Sequence, residues 1–241
     1  MAQINLKLMQ QRTLSYLGDQ NQEGAFALSE EIAQCVEELE REARFLGCYE
    51  KYDITFDEGG SVVIPELELA LVSQDLAKLF AACHSVCVLA STLGVVYDRY
   101  AKRIMNQNMS HGVVLDAAAS AYLECKTDLF EEELNLGAHT FRFAPGYGDL
   151  DLSFNVPLLK AIRGDKKIGI THTTSGLFVP QKSMLGLIGF GTVSPVADEG
   201  LDNAPDNATV SDPCSICARY EDCSFRSRGA RCSNLKTRVP G

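Results

Sequence analysis

Residues 29–46 carry the clearest helical period in the chain. Ile32, Cys35, Val36, Leu39, Ala43 and Leu46 recur at three- and four-residue spacing, and Ser29 stands where an N-cap is expected. The period then shortens to two. Tyr49 to Phe56 and Val62-Val63-Ile64 read as strands, joined across Glu58-Gly59-Gly60, where the glycine pair supplies the positive φ of a tight turn. Ser73-Gln74-Asp75 opens a short helix through Ala82. His84 to Ala90 suits a buried strand, with the run ending at Gly94. Two helices follow, Val95 to Asn108 and His111 to Leu134. The second has a small face, Ala117, Ala118 and Ala121, that permits close helix packing. From Gly137 to Gly191, short apolar runs alternate with Gly and Pro, the pattern of strands and loops, around one helix from Val156 to Ile162. Helices and strands thus mix along one chain, an α+β composition with no internal repeat.

Composition sets the boundaries. Pro195 to Pro213 holds five acids, no base and three Pro, so residues 195–213 read as an acidic linker between a domain over 1–194 and a tail over 214–241. The formal net charge of -10 argues against nucleic acid as a main partner, because phosphate binding needs a basic face. The longest weakly polar run, Val86 to Val96, is interrupted by Ser91 and Thr92 and falls short of the roughly 20 residues that span a bilayer. The N-terminal residues hold no signal-like apolar stretch. A cytoplasmic protein with no membrane partner is expected.

Nine cysteines fall into two groups. Cys35, Cys48, Cys83, Cys87 and Cys125 lie mostly on apolar faces and read as small buried hydrophobes. Cys214, Cys217, Cys223 and Cys232 crowd into the tail with Cys-x2-Cys leading. Four thiolates at that spacing suit zinc or an iron–sulfur cluster, and so small a tail has little apolar residue to fold without such a staple; disulfides or free thiols are the alternative. Arg219, Arg226, Arg228 and Arg231 between them give a basic surface, either solvated or facing an acidic partner. His84, His111, His139 and His172 are dispersed and read as structural or surface residues. Glu131-Glu132-Glu133 reads as a solvated helix end. Gly189-Phe190-Gly191 is only a fragment of a phosphate loop, and Ser183 has neither a neighbouring His nor a glycine elbow to make it a nucleophile.

The most unusual stretch is Arg142-Phe143-Ala144-Pro145-Gly146-Tyr147-Gly148-Asp149. A cation and an aromatic ring flank a Pro-Gly turn. Arg offers a planar fork for a carboxylate, Gly146 lets a ligand approach the backbone, and the Tyr147 ring can face a cation or a flat cofactor. By local chemistry alone, a structural turn with a salt-bridged Arg accounts for the same residues.

R-x-x-x-G-Y resembles the S-adenosylmethionine-binding signature of the activation domain of cobalamin-dependent methionine synthase, here Arg142, Gly146 and Tyr147, with Ala144 and Pro145 matching its common form. Cys87 to Tyr100 is similar to the strand, Leu-Gly turn and helix of free-standing members of that family. Leu115 to Leu134 is similar to their Asp-Ala-rich helix with an inward Glu, here Glu124, for which a peripheral salt bridge is an equal reading. The resemblance runs from about Leu14 to Gly191 and includes the Gly-Asp loop and the strand with Lys182 and Ser183. It implies an α+β fold with a twisted, mostly antiparallel sheet surrounded by helices. It also implies a function in methionine biosynthesis: presenting S-adenosylmethionine for reductive methylation of cob(II)alamin, as the activation subunit of a methyltransferase. Arg142 would hold the ligand carboxylate, Ala144 and Gly146 would present backbone groups, and Tyr147 would lie near ligand and corrin. No residue is assigned a catalytic acid or base role. The homocysteine, folate and cobalamin domains are absent, so cobalamin would arrive on a partner, a methionine synthase or related corrinoid protein, and an electron donor is needed as well. A carboxylate that the fused enzyme supplies from the N-terminal part of the module has no aligned counterpart. Two other functions fit the same features: a module that senses S-adenosylmethionine without chemistry, and an electron-transfer adaptor whose tail holds a cluster.

Overall fold

The computed structural model describes residues 4–18 and 28–191. Helix α1 (Leu6–Tyr16) is capped by Asn5, whose side chain accepts from the Leu8 N–H at 3.1 Å. Helix α2 (Ser29–Glu42) begins one residue earlier than a Ser29 cap requires, with Leu28 at the N-cap position, and it stops short of Leu46. Ala43 turns extended, the Arg44 N–H donates to the Leu93 carbonyl at 3.0 Å, and Leu46 opens a strand instead. The 3.6-residue period that included Leu46 is therefore fortuitous at its last position, and tertiary pairing overrides it.

Strand β1 (Leu46–Asp53) lies beside β5 (Ser85–Thr92), which lies beside β8 (Ser183–Phe190), all antiparallel. Every residue of β5 is buried, as befits a central strand covered on both faces. A second small sheet joins β2 (Thr55–Phe56), β3 (Val62–Ile64) and β4 (Leu69–Leu71), and β6 (Thr171–His172) pairs with β7 (Phe178–Val179). The fold class is α+β as expected, but the strands form three antiparallel sheets among the described residues rather than one.

Helix α3 (Gln74–Phe80) starts at Ser73, whose Oγ accepts from the Leu76 N–H. Helices α4 (Gly94–Gln107) and α5 (Met109–Glu133) follow, the latter capped by Asn108. Beyond them the expected single helix is two: α6 (Asn155–Ala161) and a short α7 (Gly164–Ile168), separated by Arg163 at φ 56°.

The main sheet separates two cores. On one face Val86, Val88, Ala90, Leu185 and Leu187 pack with β3, β4, α3 and α6. On the other, Cys87, Leu89 and Ile188 meet Phe130 and Leu134 at the end of α5, and Ser91 Oγ bonds Thr127 Oγ1 at 2.7 Å. Helices α1, α2 and α4 then wrap α5 through Met9, Leu14, Cys35, Leu39, Tyr97 and Leu115. Full burial of each such side chain stabilises by about 1.5–3 kcal/mol. Among the described residues no helix is long and apolar enough to cross a membrane.

One polar pin joins the wrap. His111 on α5 reaches Glu31 at 3.2 Å and Glu38 at 3.1 Å on α2, and Tyr100 on α4 donates to Glu38. Burial alone would lower the His111 pKa, but hydrogen bonds to Glu38 and Glu31 outweigh it and raise it. For Glu38, burial acts upward, and the bonds from Tyr100 and His111 outweigh it to hold the carboxyl low. A raised imidazole pKa contributes stability that is complete below about pH 6.5 and is lost as pH climbs through the folded value. Thermal melts across pH 6–9 should therefore show a decline that is steeper in the wild type than in His111→Gln. At pH 6 the variant should be about 1–2 kcal/mol less stable; parallel curves would show that the pin does not titrate.

Candidate functional site

The Arg142 segment is an extra edge on the main sheet. Thr140 N–H donates to Gly189 O at 2.8 Å, and Phe143 and Leu187 exchange backbone bonds of 2.9 and 2.7 Å. Alternation along such an edge sends Phe143 into the first core and Arg142 to the opposite face, toward α5. The chain then turns. Tyr147 N–H donates to Ala144 O, Gly146 N–H to Leu150 O, and Leu150 N–H to Tyr147 O. Gly146 sits at φ 92°, where a side chain is strained, and a Cβ there would lie 3.2 Å from Leu152 Cδ1. The Tyr147 ring is 55% exposed and stands edge-on to Phe143.

The far end of the turn is clamped. Asp149 accepts from Ser73 Oγ and from the Gln74 and Asp75 N–H groups at the start of α3. Partial burial acts to raise the Asp149 pKa, but these donors outweigh it and lower it, the Ser73 bond foremost. Strand pairing on one side and a helix N-terminus on the other thus hold the eight-residue segment.

Arg142 reaches across the sheet. Its aliphatic stem crosses Gly186 of β8 so closely that a Cβ on 186 would lie 2.3 Å from Cγ. The guanidinium then donates to Glu131 Oε2 at 2.5 Å and Asp128 Oδ1 at 3.0 Å on α5. Arg12 of α1 takes the other oxygen of Asp128 at 2.7 Å and lies 3.6 Å from Glu124 Oε2, and Tyr16, one turn on, donates to Glu124 Oε1. Lys182 pairs with Asp116 at 2.9 Å and donates to Ser120. Asp116, Ser120, Glu124 and Asp128 recur every fourth residue, with Glu131 three later, so they form one polar stripe along α5. An acidic stripe paired with Arg12, Arg142 and Lys182 beside an exposed aromatic turn offers both signs of charge to a zwitterionic ligand.

The fold resembles that of the MetH reactivation domain. A crystal structure of that domain bound to AdoHcy superposes with a TM-score of 0.55 at 14% identity, covering 88% of this chain and 75% of that one. At that identity the likeness establishes the fold. No protein-family model matches the chain, and no curated protein sequence does so.

Within the reactivation-domain fold, the expected residues Arg142, Ala144, Gly146 and Tyr147 stand on one turn, with Arg142 in the salt bridges that local chemistry allowed for. Glu131 corrects the expectation of a solvated helix end: it is 5% exposed and ion-paired. Glu124 takes the salt-bridge reading, on the stripe. Arg12, Tyr16, Asp128 and Gly186 were not signalled by any motif; the four-residue period of acids on α5 was the available sign. Ser183 Oγ donates to Pro180 O and bonds Thr92, Gly189 and Phe190 belong to β8, and the five scattered cysteines are free and buried. Burial pushes the Cys125 thiol up to about 11 although Arg12 opposes it, so it is protonated and inert at neutral pH. Among the described residues no cluster of His, Cys, Asp and Glu is disposed to hold a metal. Cys214, Cys217, Cys223 and Cys232 lie outside the described residues, as does the linker.

Gly186 gives a direct test of this geometry. Gly186→Ala places a methyl group on the Arg142 stem, and overpacking of this kind costs about 1–3 kcal/mol. Chemical denaturation should show that loss, and the Gly186→Ala/Arg142→Ala double variant should lose less than the sum of the two single variants, because Arg142→Ala removes the clash along with its own ion pairs. Additive losses in the double variant would place the Arg142 stem elsewhere.

Proposed function

We propose that this chain binds S-adenosylmethionine on the Arg142–Tyr147 turn and presents it to a cobalamin-bearing methionine synthase or related corrinoid protein. The observation that carries the reading is the coincidence of two things: a reactivation-domain fold, and a pinned Arg–Pro-Gly–Tyr turn on the sheet edge beside the stripe of α5. The neighbouring structure holds AdoHcy.

The residues present fit such a ligand. A guanidinium has five N–H donors, and the bonds to Asp128 and Glu131 engage two of them, so the fork has capacity for the ligand carboxylate. The amides of Gly146 and Tyr147 close the turn itself, which leaves Ala144 and Gly146 to offer carbonyl lone pairs to an ammonium or an adenine amine. The exposed Tyr147 ring forms a flat wall for the ligand and the corrin. Once bound, S-adenosylmethionine would supply a methyl group on a sulfonium; its transfer to the partner's corrinoid would leave a thioether and would need one electron from a donor. Positioning and exclusion of water are the chain's own contribution, and no side chain need move a proton.

The domain boundaries belong to the same proposal. Residues 1–194 form the binding unit, 195–213 a linker, and 214–241 a tail in which Cys214, Cys217, Cys223 and Cys232 hold one zinc ion or one iron–sulfur cluster. Elemental analysis of anaerobically purified protein should find zinc or iron, lost in a Cys214→Ser/Cys217→Ser variant. Truncation after Pro195 should leave ligand affinity unchanged. Metal-free protein overturns the tail assignment, and a ligand-blind truncation overturns the boundary.

Calorimetry tests the site. Arg142→Ala should weaken S-adenosylmethionine binding by about 1.5–3 kcal/mol, and Arg142→Lys by less, since it keeps the charge and loses the fork. Unchanged affinity in Arg142→Ala rejects the site. Methyl transfer to a cognate cobalamin protein then distinguishes reactivation from ligand sensing.

A further inference from the structure

Asp128 is shared in an uncommon way. A carboxylate facing one guanidinium tends to give it both oxygens as a fork-to-fork pair. Here the oxygens are divided, Oδ2 to Arg12 of α1 at 2.7 Å and Oδ1 to Arg142 of the sheet edge at 3.0 Å. All three side chains are largely buried, with exposures of 11%, 14% and 12% for Arg12, Asp128 and Arg142. Arg12 also lies 3.6 Å from Glu124 and donates to Cys125 Sγ at 3.3 Å.

We propose that Arg12 is a positioning residue for the ligand carboxylate: by occupying one oxygen of Asp128 it keeps the Arg142 fork from closing on that acid. The inference rests on the reading that the chain binds S-adenosylmethionine at this turn. Two effects act in the same direction. Without Arg12, Oδ2 of Asp128 loses its guanidinium partner, and turning that oxygen onto Arg142 would consume donors a ligand would use. Charge balance changes too. Arg12 and Arg142 face Glu124, Asp128 and Glu131, and His139 lies 3.9 Å from Glu131; removing Arg12 takes one positive charge out of this group, and the more negative potential at the fork then disfavours an incoming carboxylate. Arg12 is charged throughout the accessible pH range. Burial opposes its charge, but Asp128, Cys125 and Glu124 outweigh burial and raise its pKa. Helix α1 itself carries no acid and brings to this cluster the Arg12 cation and the phenol of Tyr16.

A simpler role for Arg12 is to pin α1 to α5, and ligand discrimination separates the two. AdoHcy and 5′-methylthioadenosine share the nucleoside and thioether, but only AdoHcy has the amino-acid carboxylate. Calorimetry on the full chain should show AdoHcy binding more tightly to the wild type. Arg12→Gln should lose about tenfold or more in AdoHcy affinity with 5′-methylthioadenosine changed less than about twofold, the size expected for one charge-assisted contact. Arg12→Lys should recover part of the AdoHcy affinity. Thermal melts establish that each variant is folded; if Arg12→Gln is not, Arg12→Lys carries the test, with a smaller loss confined to AdoHcy. Equal losses for both ligands, or none, overturn the proposal and leave Arg12 a pin. A wild type that binds neither ligand overturns the parent reading and this inference together, a result distinct from intact binding without discrimination by Arg12.

Discussion

Asp128 ties together elements that are far apart in sequence. Arg12 and Arg142 both end on it, with Glu131 and Glu124 completing the cluster. Taking that many charges out of water is costly for each ion, and the cost is met only when every group keeps its partners. The cluster therefore constrains its surroundings more than it stabilises them. Helix α1 must present Arg12 at a fixed turn of α5. Residue 142 must stand on the face of the edge opposite Phe143. Position 186 must lack a side chain so that the Arg142 stem can pass. Change any of these and a buried carboxylate is left without its cation.

Helix α5 serves two purposes with separate faces. Its apolar and alanine positions are enclosed by α1, α2 and α4 and, near Phe130, by the sheet, where Gly47 of β1 makes room for the ring. The stripe from Asp116 to Glu131 follows the seam where α1 and the 140–143 edge meet the helix. A 25-residue helix is about 37 Å long, so one element spans the whole seam. Packing and the candidate site thus share a rigid reference, and the site needs no loop longer than the Arg142–Asp149 turn.

How much of this the sequence disclosed varied with the physics involved. The buried strand β5, the Ser73 start of α3 and the two long helices were legible because caps and apolar period act locally. Helix α1 escaped notice, since LKLMQQRTLSY has no clean apolar face and its order comes from packing Met9 and Leu14 against α5. Leu46 matched a helical period and became a strand residue because pairing with Thr92 outweighed propensity. Of the candidate site, the turn Arg142 to Tyr147 announced itself through its Pro-Gly and its motif. Its partners did not. Glu131 looked like one of three solvated acids, and only the three-dimensional approach of Arg142 distinguishes it from Glu132 and Glu133. Gly186 carries no local signal at all: its requirement is set by a side chain 44 residues earlier in the chain.

The double anchoring of the turn has a thermodynamic consequence. Backbone pairing at Thr140 and Phe143 secures its entrance, and the Asp149 bonds to the start of α3 secure its exit. The conformational freedom of the intervening backbone is surrendered when the protein folds. A molecule settling on Ala144 to Tyr147 meets a surface that is already shaped, and little further ordering entropy is charged against its affinity. Recognition at this place is accordingly governed by desolvation and electrostatic fit, and the loop's contribution is spent in advance on holding still.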